Sequence, residues 1–319
     1  MSLKGIVLVT GGAGFIGSHL ASALSAAGAR VRIIDDLSTG YMENVEEIQG
    51  DIEFIRGSLT DTTVVKRSLE DVEVVFHEAA IPSVPRSVED PRQTHAACVD
   101  ATFNLLNLSR EQKVRRVVYA ASSSAYGDQP TLPKVEEMLP EPLSPYAVAK
   151  LVGEYYCEVF YRVYGLETLS LRYFNVFGPR QDPSSQYSGV ISRFISALLQ
   201  NERPVIYGDG EQSRDFTYIQ NVVDANLLAA AAIKGIGEVL NIANGARITL
   251  NQLLEELKQL TGKTDVVAEY RESRRGDVRH SLADISRARE YLEFEPRVGL
   301  SEGLQLTIDW WQQSRFARR

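Results

Sequence analysis

The N-terminus constrains the fold more than any other part of the chain, because it has the order strand, glycine-rich turn, helix and strand. Residues 4–10 form a short apolar run typical of a buried parallel strand. The turn that follows contains three spaced glycines, Gly11, Gly14 and Gly17. A helical stretch at residues 18–27 ends at Gly28, and an apolar run at residues 31–35 closes on Asp35. This order predicts a βαβ unit and a parallel sheet.

The glycines of this turn suit a phosphate ligand. They permit a tight turn, close approach of the backbone to a pyrophosphate, and close packing of the helix on the strand. The phosphates would lie at the N-terminus of the helix, where backbone N–H groups and the helix dipole attract anions. Asp35, 18 residues after Gly17, would accept hydrogen bonds from an adenosine ribose and repel a 2′-phosphate. We therefore expect a dinucleotide site that takes NAD rather than NADP.

A second chemical signal is a tyrosine and a lysine four residues apart, Tyr146 and Lys150. Ser144 is a good N-cap and Pro145 suits the first helical position, so the pair should share one face of a helix near its N-terminus. The helix dipole, an ammonium beside the phenol and a cationic cofactor ring would all lower the pKa of Tyr146. The spacing alone is more typical of a solvated helix face. Together with the glycine-rich turn, it predicts a general base for an alcohol proton.

The rest of the chain alternates strands and helices. Short apolar runs at residues 72–77, 117–121 and 168–173 predict further strands, separated by amphipathic or turn-rich stretches. This alternation is typical of an α/β fold with a doubly wound parallel sheet. Turn-forming residues concentrate at 178–185, where we place the boundary with a second, smaller α/β lobe.

Several motifs, in order along nearly the whole chain, resemble the extended short-chain dehydrogenase/reductases, and among these the nucleotide-sugar 4-epimerases. The motifs are the glycine-rich turn, Asp35-Asp36-Leu37, the stretch 119–127, the Tyr146–Lys150 pair, the stretch 171–179, Arg214-Asp215-Phe216-Thr217-Tyr218 and Arg274-Arg275-Gly276-Asp277. The resemblance implies an NAD-binding Rossmann domain at residues 1–177, to which a segment near 217–233 returns, and a UDP-sugar-binding domain at residues 178–319. The NAD contacts that it implies are Gly11, Gly14, Phe15, Ile16, Gly17, Asp35, Asp36, Ser38, Gly40, Ser58, Leu59, Ala79, Ala80, Tyr146, Lys150 and Tyr173.

The resemblance also implies a mechanism. Ser122 takes the family's catalytic Ser/Thr position and, with Tyr146 and Lys150, would support transient oxidation of the sugar at C4, rotation of the 4-keto sugar and re-reduction on the other face. Lyases of this family carry carboxylates one or two residues after that position, where this chain has Ser123 and Ser124. Epimerisation is therefore favoured. A dehydratase, decarboxylase or reductase, and a non-catalytic redox sensor that binds NAD, are the alternatives.

The substrate contacts that the resemblance implies lie in both parts of the chain. They are Ser83, Arg86, Ser123, Ser124, Asn175, Val190, Tyr207, Arg214, Arg274, Asp277 and Ser281. Arg214 and Arg274 suit a diphosphate, because guanidinium groups bind phosphate oxygens in a bidentate way. Ser281 matches the position that gates the hexose pocket, and a small side chain there leaves room for an N-acetyl group. We expect interconversion of UDP-GlcNAc and UDP-GalNAc, with UDP-glucose and UDP-galactose as the second pair.

The sequence departs from the family at three positions, Ser58, Cys98 and Ala101. The family has an acid at the first, which contacts adenine, an asparagine at the second and a glycine at the third. The asparagine supports the backbone around the catalytic lysine. We expect its replacement by Cys98 to affect the rate more than the fold.

The net charge, the cysteine count and the histidine spacing indicate which binding partners, which compartment and which metal content to expect. A net charge of −8 argues against a nucleic-acid surface. Two cysteines give no disulfide framework and indicate a reducing compartment. We expect neither a signal peptide nor a membrane span, and hence a cytoplasmic protein. His77 and His95 lack the spacing of metal ligands, so no metal is expected.

Two predicted helices, near residues 94–112 and 145–164, carry apolar side chains on more than one face. One face would cover the sheet, and the other would need a partner. Members of the family commonly dimerise through these two helices as a four-helix bundle. We therefore expect a homodimer.

Overall fold

The computed structural model describes residues 5–182, 189–273 and 278–313 of the 319-residue chain. Its centre is a sheet of seven parallel strands. From one edge to the other they are β11 (Val239–Ile242), β6 (Glu167–Tyr173), β5 (Arg116–Ser122), β4 (Val72–His77), β1 (Ile6–Thr10), β2 (Arg30–Asp35) and β3 (Ile52–Arg56). The strand order reverses between β1 and β4, and open α/β sheets bind ligands at the carboxyl edge of such a switch point. The predicted doubly wound sheet is confirmed.

The helices of the described residues cover both faces of this sheet and form much of a smaller lobe. They are α1 (Phe15–Ala26), α2 (Glu43–Glu46), α3 (Thr62–Ser68), α4 (Val84–Glu89), α5 (Pro91–His95), α6 (Ala101–Glu111), α7 (Pro145–Tyr164), α8 (Val190–Leu199), α9 (Ile219–Ala231), α10 (Leu250–Thr261), α11 (Ser286–Leu292) and α12 (Leu300–Gln313). In β1, Val7 and Val9 point into the core on one face, and Ile6 and Leu8 point into the core on the other. The first core lies under α1 and α9, and the second lies under α3, α6 and α7. Within the described ranges, no helix combines the length and the apolar character needed to cross a bilayer.

The two helices that matter most for the site differ in how well the sequence predicts them. The helix at 145–164 is confirmed as α7, with the Ser144 hydroxyl accepting from the Ala147 N–H at 3.1 Å and Gly165 ending the helix in a left-handed conformation. The single helix expected near 94–112 is instead α5, a π-helical turn at Ala96–Asp100, and α6. π-helical turns inside α-helices often occur at functional sites.

After β6 the chain builds a smaller lobe from short strand pairs and helices. The pairs are β7 (Val176–Phe177) with β10 (Thr217–Tyr218), β8 (Val205–Tyr207) with β13 (Glu269–Arg271), and β9 (Ser213–Asp215) with β12 (Arg247–Thr249). Between these elements the chain goes back to the sheet, where α9 packs on α1 and on β5 and β6. Strand β11 then pairs with β6 at the edge of the sheet. The two parts are therefore interleaved along the chain.

Candidate active site

The glycine-rich turn between β1 and α1 is pressed against its neighbours. The Gly11 N–H donates to the Ile34 carbonyl at 2.8 Å, which joins the turn to β2. Gly11 has a φ of +67°, and a Cβ at this position would lie 2.8 Å from the Ala79 backbone. A Cβ on Gly17 would lie 2.3 Å from the Gly11 carbonyl oxygen. The turn therefore requires glycine at both positions, and α1 starts close behind the end of β1.

The N-terminus of α1 suits an anion. Gly14 is the N-cap, and it has no side chain with which to accept hydrogen bonds from the first turn of the helix. That turn contains Phe15, Ile16 and Gly17, whose N–H groups lie at the positive end of the helix dipole. The arrangement fits the pyrophosphate of a dinucleotide.

Asp35 ends β2 and organises the same region. Its carboxylate accepts from the Ala13 N–H at 3.0 Å and from the Leu37 N–H at 2.8 Å. Burial raises the pKa of Asp35, while these two hydrogen bonds act to lower it. The adjacent Asp36 accepts from the Ser38 N–H at 2.8 Å. A carboxylate has about four acceptor positions, so Asp35 can hold the turn and still accept from ribose hydroxyls.

Three further predicted NAD contacts lie close to Asp35. A Cβ on Gly40 would lie 2.9 Å from Ala13, so the loop after β2 packs directly on the glycine-rich turn. Ser58 follows β3, and its hydroxyl lies 2.9 Å from that of Thr60. Leu59 is buried in the core on the α3 and α6 side of the sheet. The structure thus brings this side of the predicted cofactor site together.

His77, at the end of β4, is held neutral in a chain of hydrogen bonds. The Thr10 hydroxyl accepts from the Ala79 N–H at 3.1 Å and lies 2.8 Å from His77 Nδ1. The Thr102 hydroxyl donates to the Cys98 carbonyl at 2.6 Å and lies 2.9 Å from Nε2. With the Thr102 proton used in this way, Nε2 donates to Thr102 and Nδ1 accepts from Thr10. Burial, and then the charge of Lys150, lower the pKa of His77 to about 3. The ring is therefore structural, and it positions Ala79 and Ala80.

Ser122 and Tyr146 meet at the carboxyl edge of the sheet. Ser122 ends β5, and Tyr146 lies in the first turn of α7. The Ser122 oxygen accepts from the backbone N–H of Ser124 at 3.2 Å and from its hydroxyl at 2.8 Å. Both lone pairs are then used, so the Ser122 proton is available to Tyr146. A hydrogen bond between Ser122 and Tyr146 acts to lower the pKa of the phenol.

The groups of the protein itself do not lower the pKa of Tyr146. Burial raises the pKa above its usual value, and Cys98 and Glu78 raise it further, so the hydrogen bond from Ser122 is outweighed. The lowering expected from the sequence also depends on a cationic cofactor ring, and the desolvation of a phenol enclosed by α7 and the sheet acts against it. Phenolate at this position therefore needs that additional positive charge.

Lys150 points into the sheet. Its ammonium donates to the Ala120 carbonyl at 2.7 Å and lies 5.0 Å from the centre of the Tyr119 ring. The sequence predicts this ammonium beside the Tyr146 phenol, but it donates its hydrogen bond to the backbone of β5 instead. Burial lowers the pKa of Lys150, while Cys98 and Glu78 raise it. An anchored cation one helical turn below Tyr146 can hold a cofactor ribose and favour negative charge in the pocket.

Glu78 is a site residue that the sequence argument missed. It directly follows β4, and its carboxylate accepts from the Tyr173 hydroxyl at 2.8 Å. The Tyr173 oxygen in turn accepts from the Asn226 side chain at 2.7 Å. Burial raises the pKa of Glu78 to about 7, against the opposing effects of Tyr173 and Lys150. The sequence does contain a signal for this residue, because an acidic residue directly follows a buried strand, at the edge of the sheet where ligands bind.

Four predicted substrate residues line one cleft in the smaller lobe: Asn175, Val190, Tyr207 and Arg214. Asn175 has a φ of +35°, uncommon for a residue with a side chain, and its amide donates to the Asp215 carbonyl at 2.9 Å. The Arg214 guanidinium donates to the Ser213 carbonyl at 3.0 Å. Phe177, Arg193 and Gln212 also line the cleft and were missed, because no motif marks them.

The other predicted substrate residues lie elsewhere. Ser123 and Ser124 form the turn after Ser122. Ser83 is the N-cap of α4, and the Arg86 side chain donates to the Gln93 side chain on α5 at 3.3 Å. Ser281 is buried, and its N–H donates to the Ser213 carbonyl at 3.0 Å, beside β9. Arg274 and Asp277 fall outside the described residues.

Comparison with known proteins gives one consistent result. The UDP-glucose 4-epimerase of Thermotoga maritima, solved with UDP-glucose, is 41% identical, with a TM-score of 0.92 and coverage of 97% of this chain and 99% of that chain. The UDP-N-acetylglucosamine 4-epimerase of Methanobrevibacter ruminantium, solved with UDP-N-acetylmuramic acid, is also 41% identical, with a TM-score of 0.92 and coverage of 97% and 98%. A UDP-N-acetyl-alpha-D-glucosaminuronate decarboxylase of Bacillus cytotoxicus is 33% identical over 98% of this chain and 99% of its own length.

The family profile described as "NAD dependent epimerase/dehydratase family" matches residues 7–243. This match covers the glycine-rich turn, the Ser122, Tyr146 and Lys150 positions, and β11 at the far edge of the sheet. The resemblance to the extended short-chain dehydrogenase/reductases and the prediction of NAD as cofactor are confirmed. The chain belongs to the NAD-dependent epimerase/dehydratase family.

Proposed function

We propose that this protein is a UDP-sugar 4-epimerase in which Ser122, Tyr146 and Lys150 are the catalytic residues. The observation that carries the proposal is the contact of Ser122 with Tyr146 at the carboxyl edge of the sheet, followed in sequence by two serines. Serine cannot remove a C5 proton or promote loss of a C6 group unaided, so this turn favours oxidation and re-reduction at C4. The sheet part, residues 1–177 with the segment near 217–233, would hold NAD, and residues 178–319 would hold the UDP-sugar.

The residues divide the chemistry as follows. Ser122 would exchange the hydrogen bond from the Ser124 hydroxyl for one from the sugar 4-hydroxyl, and it would pass its own proton to Tyr146, the general base. Lys150, anchored on Ala120, would hold the cofactor ribose and favour the anionic phenol. When bound, NAD would supply reversible hydride transfer at C4 and the positive charge that a buried phenolate needs. No net redox change results, so the cofactor can stay bound.

Ser281 supports UDP-GlcNAc and UDP-GalNAc as the substrate pair. Its backbone is fixed beside β9, the strand that contains Arg214, and its side chain is small and buried. The relatives alone do not select the sugar, because the UDP-glucose and UDP-N-acetylglucosamine 4-epimerases are equally identical to this chain. Ser281→Tyr should lower turnover of UDP-GalNAc far more than that of UDP-galactose. Equal or better turnover of UDP-GalNAc by this variant would contradict the assignment.

Proton NMR tests the proposed activity directly. The purified protein is incubated in turn with UDP-GalNAc, UDP-GlcNAc, UDP-galactose and UDP-glucose, first without added cofactor and then with NAD. Reversible inversion at C4 is expected, and the relative rates identify the preferred sugar. Irreversible product, release of carbon dioxide from a UDP-uronate, or net consumption of added cofactor would instead indicate a lyase or a reductase.

We also propose a cytoplasmic homodimer that forms through α6 and α7. Exposed apolar side chains on these helices support it, namely Phe103, Val148, Tyr155, Val159 and Val163. Both cysteines are free and buried, which suits a reducing compartment. Sedimentation at micromolar concentration should give the mass of two subunits, and Val159→Glu should give one. Val267→Glu, at an exposed position in the other lobe, is the control. A wild-type mass of one subunit would contradict the dimer.

A further inference from the structure

The carboxyl group of Glu78 has no part in the mechanism above, yet it lies among the residues that carry that mechanism. It stands between His77 and Ala79, and Ala79 touches the Gly11 turn. Its carboxylate accepts a hydrogen bond from Tyr173, a predicted NAD contact. The side chain therefore connects the cofactor turn to the catalytic end of the sheet.

The groups that face Glu78 come from three elements. From α7, the Lys150 ammonium attracts the carboxylate, and the Tyr146 phenol would become a second negative charge only on losing its proton. From β6, the Tyr173 hydroxyl donates to Glu78, and the amide of Asn226 on α9 holds that hydroxyl in place. On its own strand, His77 is neutral. Lys150 is thus the positive charge that faces Glu78, and its ammonium is already hydrogen-bonded to Ala120.

We propose that Glu78 is a positioning residue that supplies the counter-charge for the oxidised nicotinamide ring, ionised when NAD is bound and protonated more readily when NADH is bound. The proposal rests on the proposed function, because it takes Tyr146 and Lys150 to be the residues that would hold the nicotinamide end of the cofactor. The carboxylate of Glu78 would then be attracted by the cationic ring of NAD and not by the neutral ring of NADH. It also makes phenolate at Tyr146 unfavourable until the cationic ring is present, so deprotonation of Tyr146 is coupled to the oxidised cofactor.

The consequence can be measured as a preference that depends on pH. Because Glu78 has a pKa of about 7, it is about half ionised at neutral pH and nearly fully ionised at pH 8.5. Binding of NAD favours the ionised form, so the preference for NAD over NADH rises with pH. For unit charges separated by several ångströms in a partly buried pocket, the expected rise is about tenfold.

Competition between NAD and NADH for the purified protein tests this, with bound NADH measured by its fluorescence from pH 5.5 to 8.5. The wild type should prefer NAD about tenfold more at the upper end than at the lower end. Glu78→Gln should have a weaker preference that does not change with pH. Glu136→Gln is the matched control, since Glu136 is a partly buried glutamate with a raised pKa that accepts from Asn241 on β11, three strands along the sheet.

A third variant separates the electrostatic role from a structural one. Tyr173→Phe removes the hydrogen bond that lowers the pKa of Glu78, so the midpoint of the pH dependence should move upward. If the wild-type preference for NAD over NADH did not change with pH, the proposal would be overturned even if Glu78→Gln did not fold. The proposal would also be overturned if Glu78→Gln folded and kept the pH dependence of the wild type. The failure of this proposal can be distinguished from the failure of the proposed function. The epimerase activity is tested by NMR of the UDP-sugar, whereas the preference between NAD and NADH is measured without any sugar.

Discussion

Two arginine–carboxylate pairs in this molecule have nearly the same geometry and opposite surroundings. Arg172 on β6 donates to both oxygens of Glu154 on α7, at 3.0 and 2.7 Å, with side chains only 4% and 2% exposed. Arg279 donates to both oxygens of Asp209, at 2.9 and 2.8 Å, with side chains 49% and 56% exposed. The first pair lies beneath the catalytic helix, and the second lies at the rim of the smaller lobe.

The difference shows that burial decides what such a pair does, more than its geometry does. A buried charge that loses its partner is strongly destabilising, whereas an exposed pair exchanges its hydrogen bonds with water at little cost. Arg172 and Glu154 therefore fix α7, and with it Tyr146 and Lys150, against the sheet. The pair of Arg279 and Asp209 can open without consequence for the fold. We therefore expect the cofactor side of the cleft to be the rigid side and the substrate side to adapt more readily.

The largest effect should come from the reacting group on the rigid side. Tyr146→Phe removes the general base, and kcat should fall by about 10³-fold or more, since acid–base groups contribute roughly 10²–10⁴-fold. The NAD content of the purified protein should not change. Tyr161→Phe, further along the same helix and partly exposed, is the control and should keep full activity. Substantial turnover by the Tyr146 variant would mean that another group accepts the proton.

The next largest effect should follow from breaking the buried pair. Glu154→Gln leaves the Arg172 guanidinium without its counter-charge, which should cost about 3–5 kcal/mol in the free energy of unfolding. Chemical denaturation measures this loss. Replacing both residues, as Glu154→Gln with Arg172→Met, should recover much of it, because no buried charge is then left alone. If the single variant lost less than about 1 kcal/mol, the contrast between the two pairs would not hold.

The sequence predicts the parts of this molecule that depend on local pattern. The βαβ unit and both ends of α7 follow from apolar runs, glycines that no other residue can replace, and the cap at Ser144. The proposed pair of Tyr146 and Lys150 follows from spacing combined with the glycine-rich turn, and Ser122 follows from the resemblance to the family. These features are local in the chain, or they recur at fixed intervals, so a single sequence contains them.

The features that the sequence does not predict depend on contacts between distant residues. The role of Glu78 depends on Tyr173, 95 residues away, and the bond of Lys150 to Ala120 depends on how deep α7 sits. The raised pKa of Tyr146 is a consequence of burial, which spacing cannot measure. The π-helical turn at Ala96–Asp100 has the same residue types as an α-helix. In each case the surroundings in the fold, more than the local pattern, decide the result.

On the substrate side, Arg214→Ala should act on binding. Arg214 lines the cleft with Asn175 and Tyr207, and a lost charge-assisted contact to a diphosphate should raise KM about tenfold while kcat changes little. Initial rates across a range of UDP-sugar concentrations separate the two constants. Arg214→Lys should recover only part of the loss, because an ammonium cannot bind two phosphate oxygens in the same fork. A fall in kcat with KM unchanged would place Arg214 in the chemical step instead.

The smallest effect, and the strictest test of the comparison, is expected for Arg279→Gln. Hydrogen bonds from Arg279 hold the pKa of Asp209 at about 2, so the pair is intact throughout the working pH range, yet both side chains are in water. KM should change less than about twofold, and the melting temperature should not move at low or high salt, because solvent screens the pair. The Arg279 backbone N–H donates to Asp128 at 2.7 Å whatever the side chain, so the loop keeps its place. A loss of stability comparable to that of Glu154→Gln would show that geometry outweighs burial in this protein.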